Sequence, residues 1–296
     1  MRFNEPAMRP PQEARSLLPQ VTEGCSWNKC KFCNVSQGYR YKALKPEELE
    51  QQIAQVSKFY KPDTPIYLCG SNPFALPMRF LNGYIAVLRK YFPRFSRLSM
   101  QARIDDITHK TDEQLNELHD AGLTHLYIGT ENGHEDVLRM MNKGHTASDT
   151  VRELLRLQAA GITYTNFYVL GLGGKGMGQA SAKATAAMFN AVNPLRITTT
   201  GLTMLPNTEI ASMAKRGEFQ EASEREKIEE LHTFLSELNS DSFYDGIHYL
   251  NPINYRFHNA DAANKKAVLA DIEEILANHT DEELEMMVNR KQMVSL

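Results

Sequence analysis

Short apolar runs alternate with longer amphipathic segments along the first two thirds of the chain. Apolar runs bounded by turn residues are typical of buried strands, and apolar positions three or four residues apart are typical of helices. This alternation predicts six strand–helix units. The predicted strands are residues 16–23, 65–69, 97–103, 123–130, 162–170 and 195–205. The predicted helices are residues 46–60, 76–92, 112–121, 147–160 and 178–192.

Several of these helix ends carry the residues expected at helix termini. Pro46 stands in the first turn of its helix, where its missing N–H costs nothing. Thr111 is a suitable N-cap for the helix at residues 112–121, which Gly122 closes, and Gly161 closes the helix at residues 147–160. These signals support the predicted boundaries.

The order of the elements predicts the fold class. Strands that alternate with crossover helices favour a parallel sheet, so we expect an α/β protein. Six units in about 190 residues predict a partial (β/α)6 TIM-like barrel. Residues 221–240 and 260–289 are charged and helical, around an irregular aromatic segment, 243–258. The chain is therefore expected to have a barrel core, residues 1–207, and a C-terminal helical cap or extension, residues 208–296.

Composition narrows the possible partners. The chain has 33 basic and 36 acidic residues, a net charge of −3, which argues against a nucleic-acid binder. It contains no run of 18 apolar residues, so we expect no membrane span. Its start lacks the apolar segment of a secretory signal. A cytoplasmic protein without nucleic-acid or membrane partners is expected.

The four cysteines are unevenly placed. Cys25, Cys30 and Cys33 lie within nine residues, whereas Cys69 stands alone, which argues against a set of disulfides. Three thiolates this close can converge on one soft metal centre. Three interpretations remain open: buried structural cysteines, a zinc site completed by a distant ligand such as Cys69, or an iron–sulfur cluster with one iron open to another ligand.

The cysteine motif resembles the signature of the radical S-adenosylmethionine (radical SAM) superfamily. That signature is C-x3-C-x2-C with an aromatic residue before the last cysteine. Phe32 matches this position and is a candidate cofactor-binding residue. The first gap holds four residues in this chain instead of three. The resemblance implies that Cys25, Cys30 and Cys33 bind a [4Fe–4S] cluster whose fourth iron binds S-adenosylmethionine (SAM).

Other segments extend the resemblance and supply candidate cofactor-binding residues. Gly70, Ser71 and Asn72 stand where the superfamily often has a Gly-Gly-Glu turn that binds the amino group of SAM. Glu131, at the end of the fourth predicted strand, is similar to the Glu of a Gly-x-Glu-Ser-Gly motif that faces the cofactor. Lys143 lies in a segment that resembles one in oxygen-independent coproporphyrinogen oxidases and methylthiotransferases, where the basic residue lies near the SAM carboxylate.

Further candidates come from their positions on the predicted strands. Gln101 and Arg103 end the third strand, where they can reach a cofactor, although Arg103 can equally pair with Asp105 or Asp106. Cys69 ends the second strand and Tyr168 lies within the fifth, and both are candidate catalytic residues. Buried Cys and Tyr are also common core residues.

The sequence GLGGKG at residues 171–176 fits a dinucleotide-binding pattern, but the acid this pattern requires is missing. No Asp or Glu occurs between Leu154 and Thr208. Four basic residues in this stretch favour an anionic substrate if they line a pocket; otherwise they lie on outer helix faces. They are Arg156, Lys175, Lys183 and Arg196.

The resemblance implies an enzyme that cleaves SAM reductively and generates a 5′-deoxyadenosyl radical. Such an enzyme needs an electron donor such as flavodoxin or ferredoxin. No cysteine follows Cys69, so no auxiliary cluster is expected. A small organic substrate is favoured, and the candidates include anionic ones. The alternative is a non-radical iron–sulfur or zinc-binding protein with a structural or interaction role.

Overall fold

The structure is a computed structural model, described here for residues 8–290. Its strands are β1 (Thr22–Glu23), β2 (Lys42–Ala43), β3 (Ile66–Leu68), β4 (Leu98–Ala102), β5 (Leu123–Glu131), β6 (Thr163–Leu170), β7 (Arg196–Gly201), β8 (Phe243–Asp245) and β9 (Arg256–His258). Its α-helices are α1 (Pro46–Val56), α2 (Met78–Tyr91), α3 (Ile104–Thr108), α4 (Asp112–Asp120), α5 (Glu135–Met140), α6 (Ala147–Ala159), α7 (Gly178–Val192), α8 (Glu209–Lys215), α9 (Glu224–Glu237), α10 (Ala262–Asn278) and α11 (Asp281–Met286).

Strands β3 to β9 belong to a seven-stranded sheet and follow one another in chain order. The pairs β3–β4, β4–β5, β6–β7 and β7–β8 are parallel, and β8–β9 is antiparallel. The separate strands β1 and β2 pair with each other in antiparallel fashion. The expected α/β class, with a mostly parallel sheet and crossover helices, is confirmed.

The first predicted strand, residues 16–23, is less regular than its apolar pattern suggests. Leu17 and Gln20 form isolated parallel bridges with Ile66 and Cys69, and only Thr22–Glu23 forms a strand, β1. Pro19 interrupts the segment because proline has no N–H to donate, although its carbonyl accepts the N–H of Cys69 at 2.8 Å. The segment therefore lies beside β3 without a continuous ladder of hydrogen bonds.

The C-terminal third contains the expected helices and two strands that the sequence pattern did not predict. Helices α9 and α10 lie within the predicted helical segments, but β8 and β9 lie in residues 243–258, which we expected to be irregular. Each has only three residues, too few to show a period of two.

Contacts within the chain group it into two units. One contains Val35–Ile128, Leu155–Tyr164 and the segment that ends at Asn28; the other contains Lys29–Asn34, Gly129–Leu154 and the chain from Thr165 onward. The division of the chain near residue 207 stays a prediction.

Glu13 anchors the segment before β1 in the first unit. Its carboxylate is fully buried and accepts hydrogen bonds from Ser16, from Ser99 at 2.8 Å and from Tyr127 at 2.7 Å, and it pairs with Arg97 at 2.8 Å. Burial alone would raise the pKa of Glu13, but these hydrogen bonds and the Arg97 charge bring that pKa below its ordinary value. The segment is thus held by a satisfied buried carboxylate.

In the second unit, burial alternates along β7. Ile197 and Thr199 are buried, whereas Arg196, Thr198 and Thr200 are half-buried. Successive side chains of a strand point to opposite faces, so one face of β7 is covered and the other is accessible.

Candidate functional site

The first half of the cysteine loop is held in place by Asn72. The Asn72 side chain is fully buried; its Oδ1 accepts the backbone N–H of Ser26 at 3.1 Å, and its Nδ2 donates to Ser26 Oγ at 2.6 Å. The same nitrogen lies 3.2 and 3.4 Å from the two carboxylate oxygens of Asp106. Asn72 therefore fixes the backbone beside Cys25. A role in binding SAM stays a prediction, since the chain's own groups already engage its amide.

Asp106 supports this anchor from the first turn of α3. Its Oδ2 accepts the backbone N–H of Arg103 at 2.8 Å. Burial raises the pKa of Asp106 to about 6, because the hydrogen bonds from Arg103 and Asn72 offset only part of the desolvation. Sequence reasoning missed this role of Asp106, because Asn72 lies 34 residues away in the chain.

The Arg103 guanidinium lies 2.9 Å from the carboxylate of Asp105 and 5.2 Å from the ring centre of Trp27. The pairing with Asp105 that the sequence left open is thus found. Arg103 is 6% exposed and therefore almost fully buried. A role for Arg103 at a cofactor stays a prediction.

The turn after β3 is closely packed. A Cβ at Gly70 would lie 1.9 Å from Thr22 Oγ1, and its φ of 135° is unfavourable for other residues, so only glycine fits. Ser71 Oγ lies 2.5 Å from Ser36 Oγ, in the segment after the cysteine loop. Gly70 thus packs against Thr22, which precedes the cysteine loop, and Ser71 bonds to Ser36, which follows the loop.

Cys69 and Gln101 occupy neighbouring parts of the first unit. The Cys69 thiol is fully buried and donates to the Tyr67 carbonyl at 3.7 Å, and burial raises its pKa to about 12. It therefore stays protonated at neutral pH, the state that a hydrogen-atom donor needs. Gln101 is half-buried on β4, in register with Tyr127 of β5. Both functional roles stay predictions.

The second half of the cysteine loop is anchored mainly by its backbone. The Lys31 N–H donates to the Met141 carbonyl at 3.1 Å, and the Lys31 carbonyl accepts from Ile210 at 2.8 Å. The Asn142 amide donates to the Lys29 carbonyl at 3.1 Å. These bonds fix the residues on both sides of Cys30.

Phe32 contributes packing to the same half of the loop. Its ring packs against a buried apolar cluster: Val137, Met141, Val169, Leu172, Leu202, Ile210, Met213 and Phe219. The ammonium of Lys143 lies 5.8 Å from the centre of the Phe32 ring. The aromatic position in the motif therefore orients the loop and also contacts a predicted cofactor-binding residue.

Glu131 and Lys143, both predicted to bind SAM, form an ion pair. The distance from Lys143 Nζ to Glu131 Oε1 is 3.1 Å, and their side chains are 4% and 14% exposed respectively. A Cβ at Gly129 would lie 2.4 Å from Glu131 Oε1, so the glycine makes room for the carboxylate. Glu131 has φ of 67°, a backbone conformation that costs a non-glycine residue energy and that is concentrated at functional sites.

The turn after α5 sets the position of Lys143. The N–H of Asn142 donates to Arg139 O at 3.1 Å and the N–H of Lys143 donates to Leu138 O at 3.0 Å, the pattern of a Schellman motif. Asn142 takes the left-handed conformation that this motif requires, with φ of 54°. The helix terminus thus directs Lys143 back toward the end of β5.

Tyr168 lies on the covered face of β6. Its hydroxyl donates to Glu230 Oε1 of α9 at 2.5 Å, and its ring contacts Phe234 at 4.9 Å between centres. The Glu230 Oε2 accepts the N–H of Gly171 at 2.8 Å. Burial raises the pKa of Glu230 to about 7, although these two hydrogen bonds oppose the shift. The contacts favour a structural role for Tyr168; its catalytic role stays a prediction.

The basic residues of the acid-free stretch do not form one group. Arg156 pairs with Asp112 at 2.6 Å, and Arg196 pairs with Asp245 at 2.7 Å. Lys175 and Lys183 are exposed. The exposed positions of Lys175 and Lys183 agree with the alternative that these charges lie on outer helix faces.

The three loop cysteines carry the donor chemistry for an iron–sulfur cluster. Each is half-buried, and no disulfide joins the chain's four cysteines. Within residues 8–290, no three His, Cys, Asp or Glu side chains lie close enough together to hold one metal ion. Three thiols in a loop anchored on both sides match a cluster with three protein ligands in number and type.

No helix within residues 8–290 is long and apolar enough to cross a membrane.

Comparison with known proteins identifies the family. The profile of the Radical SAM superfamily matches residues 20–176, more than half of the chain. A curated relative, the tRNA-2-methylthio-N(6)-dimethylallyladenosine synthase of Alkalilimnicola ehrlichii, is 26% identical over 192 residues, which are 62% of this chain and 42% of that protein. The chain thus spans about two fifths of the length of this relative.

Solved structures agree in fold. Coproporphyrinogen III oxidase from Escherichia coli, a radical SAM enzyme, superposes with a TM-score of 0.56 and 18% identity, over 75% of this chain and 53% of that one. The radical SAM methyltransferase TsrM from Kitasatospora setae, with cobalamin and a [4Fe–4S] cluster bound, gives a TM-score of 0.56 and 18% identity, over 68% and 37% of the two chains. The expected partial-barrel fold is thereby confirmed. The chain belongs to the radical SAM superfamily of enzymes.

Proposed function

We propose that this chain binds a [4Fe–4S] cluster through Cys25, Cys30 and Cys33 and uses it to cleave SAM reductively. The observation that carries the proposal is the three-cysteine loop within the segment that matches the superfamily. When bound, the reduced cluster supplies the electron that cleaves a sulfonium C–S bond of SAM, yielding a 5′-deoxyadenosyl radical that abstracts hydrogen from a substrate.

Glu131 and Lys143 support the proposal by their charges. The amino-acid part of SAM carries one ammonium and one carboxylate, and Glu131 and Lys143 carry the complementary pair. Their 3.1 Å contact balances the two charges within the chain. Glu131 would bind the SAM ammonium and Lys143 would bind the SAM carboxylate, so that two charge-assisted contacts would replace the internal pair.

Hydrogen bonds to both halves of the cysteine loop hold its backbone in place. Asn72 and Asp106 fix the backbone at Ser26, and the bonds of Lys31 fix the backbone between Cys30 and Phe32. Positioning of this kind lowers the reorganisation needed when a cofactor binds. The substrate is a small organic molecule, and a flavodoxin or ferredoxin supplies the electron.

Anaerobic reconstitution tests the proposal. Purified chain is incubated with iron and sulfide, desalted, and analysed for iron, for the cluster absorption band and for release of 5′-deoxyadenosine after reduction in the presence of SAM. We expect about four irons per chain and slow release of 5′-deoxyadenosine even without substrate. Cys30→Ala should lose both, while Cys69→Ala, which changes a cysteine outside the loop, should keep the cluster. Iron bound without any cleavage of SAM, or zinc bound in its place, would contradict the proposal.

A further inference from the structure

The accessible face of β7 continues onto the two strands that follow it in the second unit. Thr198 of β7 is in register with Asp245 of β8, and Asp245 is in register with Arg256 of β9. Cross-strand partners point to the same side of a sheet. Arg196, two residues before Thr198, therefore shares this face with Asp245 and Arg256.

These three side chains form a compact charged group. Arg196 Nη1 lies 2.7 Å from Asp245 Oδ2, and Arg256 Nε lies 3.0 Å from Asp245 Oδ1. The Asp245 side chain is only 5% exposed, whereas those of Arg196 and Arg256 are 25% and 49% exposed. A buried carboxylate thus sits beneath two guanidinium groups that reach the surface of the face.

The charges of this group do not balance. Two guanidinium groups share one carboxylate, which leaves one positive charge, and arginine stays protonated at any physiological pH. Arg196 contacts Asp245 through Nη1, and within residues 8–290 no further acceptor bonds to Nε or Nη2 of that guanidinium. A planar guanidinium with an unused edge is well suited to a carboxylate or a phosphate.

The ring of Phe243 fixes the direction of one guanidinium. It lies 4.3 Å from the guanidinium carbon of Arg196, in a cation–π contact, and is in register with Arg196. The ring and Asp245 hold Arg196 from two sides, which lowers the entropy cost of using it to bind a ligand.

We infer that Arg196 and Arg256 bind an oxyanion, a carboxylate or a phosphate, of a small-molecule ligand, with Asp245 as the group that orients both arginines. The inference goes beyond the proposed function, because Arg196 is the first residue of β7, whereas Glu131 is the last residue of β5.

The inference is tested by equilibrium binding to purified chain without SAM. Isothermal titration calorimetry at low ionic strength would use sodium succinate, then inorganic phosphate, and neutral succinamide as the control ligand. We expect saturable binding of at least one anion in the millimolar range, no binding of succinamide, and weaker affinity as sodium chloride is added. Binding of succinate alone points to a carboxylate, and binding of phosphate alone points to a phosphate ester.

Variants separate a binding site from a structural ion pair. Arg256→Gln should raise the dissociation constant at least tenfold, and Arg196→Gln should do the same. Arg216→Gln is the matched control, because Arg216 is about as exposed as Arg256 but pairs with two carboxylates, those of Glu209 and Glu218.

Failure of this inference differs from failure of the proposed function. A chain that cleaves SAM but binds neither anion, or binds one equally well after Arg256→Gln, would overturn the inference and leave the proposed function standing. A chain that binds the anion through both arginines but never cleaves SAM would retain the binding site and lose the assigned reaction.

Discussion

The carboxylate of Glu131 and the ammonium of Lys143 lie 3.1 Å apart in largely buried positions, although neither has a neighbour of opposite charge next to it in the chain. A strand end with a left-handed backbone at Glu131 and a helix terminus with a Schellman motif bring the two groups together. The backbone conformation of Glu131 and the helix terminus before Lys143 therefore position the pair.

Glu131→Gln should weaken SAM binding without affecting the cluster. It replaces a charge-assisted hydrogen bond to the SAM ammonium with a neutral one, which should raise the dissociation constant by about tenfold or more. Equilibrium dialysis with SAM on the reconstituted protein measures the affinity, and iron analysis measures the cluster. Glu237→Gln, on an exposed position of α9, is the control. An unchanged affinity would refute the role of Glu131.

Asn72→Ala should reduce cluster assembly. The substitution leaves the N–H of Ser26 and the Asp106 carboxylate without the amide that joins them, so the backbone beside Cys25 loses its anchor. We expect fewer irons per chain after reconstitution and a lower free energy of unfolding. Asn82→Ala removes an exposed amide that bonds Glu117 and should change neither quantity. Full iron loading of the Asn72 variant would show that the anchor is dispensable.

Glu230 should make stability depend on pH. Its pKa is about 7 in the folded protein, above the ordinary value of 4.5, so between these values the folded state binds more protons than the unfolded state. Its contribution is fully present below about pH 4.5 and is lost as pH rises through about 7, at about 1.4 kcal/mol per pH unit at most.

Urea unfolding of the original chain and of Glu230→Gln at pH 5.5 and pH 8 measures this dependence. The Gln variant should gain in relative stability at the higher pH, because it cannot ionise. Glu229 is the exposed neighbour of Glu230 on α9, and the free energy of unfolding of Glu229→Gln should change with pH as that of the original chain does. Parallel pH curves for all three proteins would show that the carboxyl of Glu230 does not titrate in this range.

Tyr168→Phe distinguishes a structural from a catalytic tyrosine. Loss of the hydroxyl removes one of the hydrogen bonds to buried Glu230, so the free energy of unfolding should fall by about 1–3 kcal/mol. Release of 5′-deoxyadenosine by the reconstituted, folded variant should be unchanged. Loss of that release with full cluster loading and normal stability would instead support the catalytic role.

Local sequence signals predicted the individual elements well where they are self-contained. Helix α7 has the predicted bounds, Gly178–Val192, because an apolar face and its flanking turns lie within one segment. Thr111 caps α4 as expected, with its hydroxyl accepting the N–H of Gln114 at 3.2 Å. Such features depend on residues three or four positions apart, so a sequence reveals them directly.

The groups that surround the site were harder to predict because their partners are remote. Asp106 meets Asn72 across 34 residues, and Glu230 meets Tyr168 across 62. Arg196 and Asp245 are 49 residues apart and meet only because β7 and β8 pair. The spacing of these residues along the chain does not reveal their contacts. They follow from strand order and register, which the pattern of apolar residues leaves open.

The two outermost strands of the sheet also bear on how the protein behaves at high concentration. An open strand edge can recruit another chain and start aggregation. Leu17 and Gln20 bond to the outer side of β3, and β9 has only three residues, with exposed Arg256 and His258 at its two ends. A covered edge on one side and a short, charged one on the other leave little template for intermolecular pairing. The chain should therefore tolerate the concentrations that anaerobic spectroscopy of an iron–sulfur protein demands.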